Sequence, residues 1–215
     1  MTRLILTFLL LTSLVQAQAN LGSFDKQGRF IYPNTNKPYT GNLDVINNDW
    51  GVDAVEFNKD YVEGVLHGAE KVFYRSGQLK SVGYFKRGLI DGTTTLYYED
   101  GSAQAQVNFN TGIREGRAVS YYPDGTKQSE QFYVTDKLHG LSRQWFDTGS
   151  LMVSRDYSKG LLHGEVTSYY ESGIVFEVTK FNYGTPKFKR TYNEDGSLIK
   201  EEGTFDRKTI NKIIS

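Results

Sequence analysis

The sequence predicts an all-β fold: an elongated, twisted, single antiparallel sheet built from 24-residue hairpin repeats. Three observations carry this. An aromatic residue recurs every 24 positions, at Tyr61, Phe85, Phe109, Tyr133, Tyr157, Phe181 and Phe205. Two glycine series keep step with it, Gly68, Gly92, Gly116, Gly140, Gly164 and Gly77, Gly101, Gly125, Gly149, Gly173. Between the glycines stand adjacent aromatic pairs, Phe73-Tyr74, Tyr97-Tyr98, Tyr121-Tyr122, Trp145-Phe146 and Tyr169-Tyr170. A fixed period of this size marks a repeat protein, whose units bury apolar surface only by stacking on their neighbours.

The chain opens Met1-Thr2-Arg3, runs uncharged from Leu4 to Val15, and continues Gln16-Ala17-Gln18-Ala19. A basic residue, a short apolar run and alternating small residues describe a secretory signal peptide over residues 1–19, cleaved after Ala17 or Ala19. The apolar run is shorter than the roughly 20 residues a membrane-spanning helix needs. The expected location is outside the cytoplasm, in the periplasm or beyond the cell of a bacterium, with no transmembrane span in the mature chain. With 25 basic and 25 acidic residues the chain has no global attraction for nucleic acid. The absence of cysteine excludes disulfides, thiol catalysis and cysteine-bound zinc.

Residues 20–60 read as a divergent β unit: Phe30-Ile31-Tyr32 adds a strand, and Tyr39-Thr40-Gly41 with Asn47-Asn48-Asp49-Trp50-Gly51 form an opening repeat. About six repeats fill 61–205. In each, two glycine-bearing turns separate two short segments rich in aromatic and β-branched residues, so each unit is a pair of antiparallel strands. Asp100-Gly101, Asp124-Gly125 and Asp195-Gly196 place glycine where a hairpin needs positive φ. At the other turn stand Gly64, Gly88, Gly112, Gly160 and Gly184, with Asp136 as the exception; aspartate tolerates the left-handed region, so it supports the same geometry. The stretch Gly184-Thr185-Pro186-Lys187-Phe188 lacks the second glycine and Gly196 arrives one residue early, although Phe205 restores the count. Ile210, Ile213 and Ile214 after Asp206 have helical spacing, so 206–215 read as a capping helix or tail.

The unit, aromatic-x-x-Gly, a loop, x-Gly, two aromatics and a glycine turn, resembles the MORN repeat (membrane occupation and recognition nexus), in its looser bacterial variant. Together with Tyr32 to Gly41 it is similar to the bacterial group labelled "YwqK-type antitoxin". The resemblance covers about residues 30 to 205. It implies a hairpin-repeat sheet serving protein or lipid contact, and delivers no catalytic position.

His67, His139 and His163 precede the second glycine where other units hold Asp91 or Glu115. These are metal-ligand types, but equivalent residues two strands apart are separated by roughly 9.5 Å, too far for one zinc ion. Polar residues on a solvated turn are the expectation. No nucleophile elbow, phosphate loop, dinucleotide fingerprint or zinc-protease segment occurs, so the chain is expected to be no enzyme and to use no cofactor. The expected contact surface comprises Tyr74, Tyr98, Tyr122, Phe146 and Tyr170, taken as the outward members of their pairs, together with a basic stretch, Lys180, Lys187, Lys189 and Arg190, that has no acid between its members. The leading partner is another protein, since tyrosines bury large area at low entropic cost. Envelope lipid or glycan, and a toxin inhibited in antitoxin fashion, are the alternatives.

Overall fold

A computed structural model describes residues 22–32, 34–51 and 54–203. The expected leader at 1–19, the ring at Phe205 and the terminal helix at 206–215 lie outside the described residues. Every described regular element is a strand, and all pairing is antiparallel, as the 24-residue period predicts. The chain divides into two compact units, residues 1–113 and 114–215.

In the first unit a small hairpin, β1 (Ser23–Phe24) and β2 (Phe30–Ile31), precedes a sheet of β3 (Gly41–Ile46), β4 (Val55–Val62), β5 (Val65–Phe73), β6 (Leu79–Lys86), β8 (Gly92–Tyr97) and β9 (Ala103–Asn110), in that order; β7 (Leu89–Ile90) also pairs with β6. The second unit starts one residue inside β10 (Ile113–Tyr121). Its order is β10, β11 (Lys127–Val134), β13 (Gly140–Trp145), β14 (Leu151–Ser158), β15 (Leu161–Tyr169), β16 (Val175–Asn182), β17 (Thr185–Tyr192), β18 (Leu198–Gly203), with β12 (Lys137–Leu138) also on β11.

Two kinds of turn alternate. The tight turns have two residues, both at positive φ: Glu63-Gly64 (50°, 77°), Arg87-Gly88 (53°, 80°), Thr135-Asp136 (51°, 61°), Lys159-Gly160 (53°, 84°) and Tyr183-Gly184 (45°, 82°). This is the type I′ turn, whose twist matches that of the strands it joins. Asp136 adopts the left-handed geometry that its place in the glycine series predicts. The residue before it does so too, which the glycine pattern alone does not reveal. The wide turns close when the glycine N–H donates to the carbonyl three residues earlier, as from Gly125 to Tyr122 (2.9 Å). Asp100, Asp124 and Asp195 brace theirs by accepting the N–H of Ser102, Thr126 and Ser197, each at 2.8 Å.

Register explains why rings and glycines keep step. Each second glycine faces the next unit's first ring across the ladder: Gly68 faces Phe85, Gly92 Phe109, Gly116 Tyr133, Gly140 Tyr157 and Gly164 Phe181. Gly41 faces Tyr61 in the same way, so Tyr39-Thr40-Gly41 plays the repeat's role. The glycine sits in a β-bulge. Between β14 and β15 three residues, 163–165, oppose Asp156 alone; between β16 and β17 only Lys187 is left unpaired. The bulge lacking its glycine is therefore one residue shorter, which is why Gly196 comes early. Beyond it, Gly203 is the residue opposite Phe188.

The bulges come in two forms. At Gly68 and Gly164 an aspartate from the opposing strand, Asp60 or Asp156, lies where a Cβ would be, at 2.8 and 2.6 Å. Asp60 Oδ2 accepts the Ala69 N–H (2.9 Å). At Gly92 and Gly140 an aromatic, Tyr84 or Phe132, replaces the aspartate. The backbone closes the bulge there, Asp91 N–H to Tyr84 O (2.7 Å) and His139 N–H to Phe132 O (2.9 Å), and the ring turns to solvent.

No described side chain is wholly buried, and the buried apolar cluster lies at the N-terminal end. Phe30, Tyr39, Leu43 and Tyr61 form it, with Tyr32, Val45 and Leu66 against them. Phe30 stacks on Tyr61 at 5.2 Å between centroids, and Tyr39 meets both edge-on. Burial pushes the Tyr39 and Tyr61 phenols above their ordinary pKa.

Candidate functional site

The aromatic pairs sit at the wide-turn ends of the strands, and both members are half-buried. The hydroxyl of Tyr74 donates to the carbonyl of Tyr97 (2.8 Å), Tyr122 to Trp145 (2.9 Å) and Tyr170 to Tyr192 (2.9 Å). Each bond joins a repeat to its successor. Tyr98 is also half-buried and engaged, and Phe146 has no hydroxyl to give. Tyr74, Tyr122 and Tyr170 are therefore tied to the following repeat, leaving ring edges and faces for contact. The signal that finds this is the constant spacing of 22 or 23 residues between hydroxyl and carbonyl, which a strand-by-strand reading passes over.

Two of the four cations of the basic stretch, Lys189 and Arg190, are compensated across strands. Lys189 Nζ lies 2.5 Å from Glu177, which holds the lysine pKa up, and Arg190 Nε lies 2.7 Å from Glu201. Lys187 is exposed, with no ion pair among the described residues. The run that lacks acids in sequence meets them from β16 and β18.

The tight-turn edge has its own ladder. The turn N–H of each unit reaches back to a carbonyl of the unit before: Gly88 to Leu66 (2.8 Å), Gly112 to Ile90 (2.7 Å), Gly160 to Leu138 (2.8 Å), Gly184 to Leu162 (2.8 Å). The residue preceding it seeks a side chain. The N–H of Arg87 points to His67 Nδ1 (3.4 Å), that of Thr111 to Asp91 Oδ2 (3.2 Å) and that of Thr135 to Glu115 Oε2 (2.8 Å). In the first unit Tyr39 O and Thr40 Oγ1 take both roles, for Gly64 (2.6 Å) and Glu63 (2.9 Å). At His67, Asp91 and Glu115 this position supplies an acceptor to the next turn. Among the described residues no group of three or more His, Asp or Glu is placed to hold a metal ion. His163 differs from His67: its ring stacks on Tyr183 at 4.2 Å, and its buried Nδ1 has no hydrogen-bond partner.

Exposed apolar side chains mark a face that sequence periodicity overlooks. In the second unit Phe132 and Leu141 are more than two-fifths exposed. Both lie two residues from the paired Glu130 and Arg143, and so on the same side of the sheet. Val134, two residues beyond Phe132, and Leu161, beside the next tight turn, are also exposed. The readable clue is the alternation Asp60, Tyr84, Asn108, Phe132, Asp156 one residue before each unit ring, a period of two units.

The MORN repeat variant family matches residues 66–87, 114–135 and 162–182. The matches recur every second unit, around Gly68, Gly116 and Gly164, and cover the second strand of one hairpin through the tight turn of the next. No curated protein matches the chain. MORN repeats are in general modules for binding protein or membrane. Among the described residues no helix is long and apolar enough to cross a membrane.

Proposed function

We propose that this chain is an exported, non-enzymatic interaction module, periplasmic or extracellular in a bacterium, that captures another protein on its hairpin sheet. The observation carrying the reading is the exposed apolar set Phe132, Val134 and Leu141, unprotected by any described second layer. Rings lying flat on a rigid sheet lose little entropy on contact, so they suit protein recognition. Of the rings expected to make contact, Tyr122, Phe146 and Tyr170 belong to the same compact unit as Phe132, as do Lys187, Lys189 and Arg190. A second reading, envelope lipid or glycan as the ligand, is favoured by Tyr183, more than half exposed and stacked on His163, in the same strand pair as the exposed Lys187.

The test is in-cell cross-linking of the C-terminally tagged protein, with and without the double change Phe132→Ser and Leu141→Ser. The expected result is one abundant protein partner, lost in the double variant while the far-ultraviolet circular dichroism is kept. A toxic partner would identify an antitoxin-like inhibitor. Equal capture by the double variant, or recovery of lipid or glycan alone, overturns the protein-contact reading.

A further inference from the structure

The two turn edges of the second unit carry opposite charge. Its wide turns, residues 122–126, 146–150, 170–174 and 193–197, hold Asp124, Asp147, Glu171, Glu194 and Asp195 and no lysine or arginine. All five acids are exposed, and none forms an ion pair among the described residues. The Asp195 carboxyl is held below its usual pKa by the Ser197 side chain and N–H. The tight-turn edge holds Lys137, Lys159 and Lys187, all exposed and likewise without an ion pair among the described residues. Of its acids, Asp136 pairs with Arg114 (2.9 Å) and Glu115 accepts the Thr135 N–H, while Glu165 in the β15 bulge is exposed. Exposed Val134, Leu161 and Tyr183 lie among the lysines.

We infer that the basic edge is an interaction surface for the acidic edge of a second copy of this chain, side by side. The argument is one of pitch as well as sign. Charges at consecutive turns of one edge recur once per hairpin, at about 9.5 Å for two strands. A partner meeting three such lysines together needs acids at the same pitch. The wide turns of an identical array supply them, in four consecutive hairpins, whereas a flexible acidic peptide must be ordered to match. Basic edge on acidic edge is a heterologous contact, so it leaves one edge of each kind free to continue. Exposed ion pairs are individually weak and screened by salt, so association is concentration-dependent and strongest at low ionic strength. The surface shares Val134 and Lys187 with the face proposed for the protein partner, but the Phe132→Ser and Leu141→Ser pair touches none of the three lysines, so the two tests are distinguishable.

Sedimentation velocity of the full chain tests this. The weight-average mass is expected to rise with loading concentration in about 20 mM salt and to return to the monomer value in about 500 mM, where the screening length is only a few ångströms. Lys137→Glu with Lys159→Glu and Lys187→Glu leaves both edges acidic; Asp147→Lys with Glu171→Lys and Glu194→Lys leaves the wide-turn edge basic. The three acids chosen make no hydrogen bond or ion pair among the described residues, so their exchange leaves the fold intact, which a thermal melt verifies. Each triple variant should self-associate about tenfold more weakly or less. Mixing the two should restore a complex at low salt, because the acidic tight-turn edge of one then faces the basic wide-turn edge of the other. A wild-type chain that stays monomeric at low salt, undiminished association of either variant, or no complex on mixing overturns the inference.

Discussion

At the N-terminal end of the chain, Phe30, Tyr39 and Tyr61 meet ring on ring and shield one another from water, and the backbone of Phe30 and Tyr39 closes over the first tight turn. A few residues further on, the repeats have no such cluster. Val119, Val153 and Ser142 are the deepest described side chains of the second unit, and they lie apart along different strands. There one hairpin is joined to the next by strand pairing, with a tyrosine hydroxyl on one edge and a turn N–H on the other. The contrast shows two ways of closing a sheet that has no second layer. The opening segment concentrates its stability in one apolar contact, and the repeats distribute theirs over many hydrogen bonds of modest individual worth.

The sharpest way to break this contrast is Tyr39→Ala. Removing a ring that is nearly fully buried, and whose hydroxyl donates to Asn42 O, should cost about 3 kcal/mol or more. Amide exchange at Glu63 and Gly64 should rise first, while the wide turns of the second unit are little changed; uniform loss across the chain would show that the cap is no separate source of stability.

A smaller effect separates the two bulge types. Gly164→Ala sets a methyl against the Asp156 carboxylate at a φ of 105° and should cost about 2 kcal/mol. Gly140→Ala meets nothing within 4 Å and carries only the backbone strain of φ 73°, about 1 kcal/mol. Urea unfolding of the pair measures the difference; equal losses would mean that Asp156 yields freely and the bulge types are equivalent.

The smallest effects concern single rungs. Tyr122→Phe should lose about 1 kcal/mol with its hydroxyl bond to Trp145 O. Phe146→Tyr should gain about 0.5 kcal/mol by offering Tyr169 the same bond 23 residues on. A pair of changes of the same sign would show that ring packing, and not the hydroxyl, sets the stability of that edge.

Much of the fold was legible because turns and bulges are demands on single residues. Only glycine, or the aspartate at 136, readily takes the left-handed turn position, and only glycine fits beneath Asp156. The deletion near Pro186 was legible for the same reason. The rest was hidden by distance along the chain. The positive φ of Arg87 and Lys159 is imposed by the strands they join, and nothing in an arginine or a lysine announces it. Tyr122 has the same side chain whether its hydroxyl meets a partner or Trp145 O, so the bonds of Tyr74, Tyr122 and Tyr170 to the following repeat were not readable. Lys189 and Arg190 looked unopposed because Glu177 and Glu201 come from other strands. Phe132 was legible only in a two-unit period, which the 24-residue frame conceals.

The two edges point their donors in opposite directions along the chain. On the tight-turn edge each unit leans on the one before it, so the first unit would be left with orphan N–H groups had Tyr39 and Thr40 not met them. On the wide-turn edge each unit leans on the one after it, and the series stops without an orphan: Asn193 stands where the next hydroxyl would be, and it turns to Ser197 instead. Lengthening or shortening such an array by whole hairpins is therefore tolerable near its later units and not near its first. Gene duplication has a polarity here, with a beginning that must be kept and an interior that can be copied.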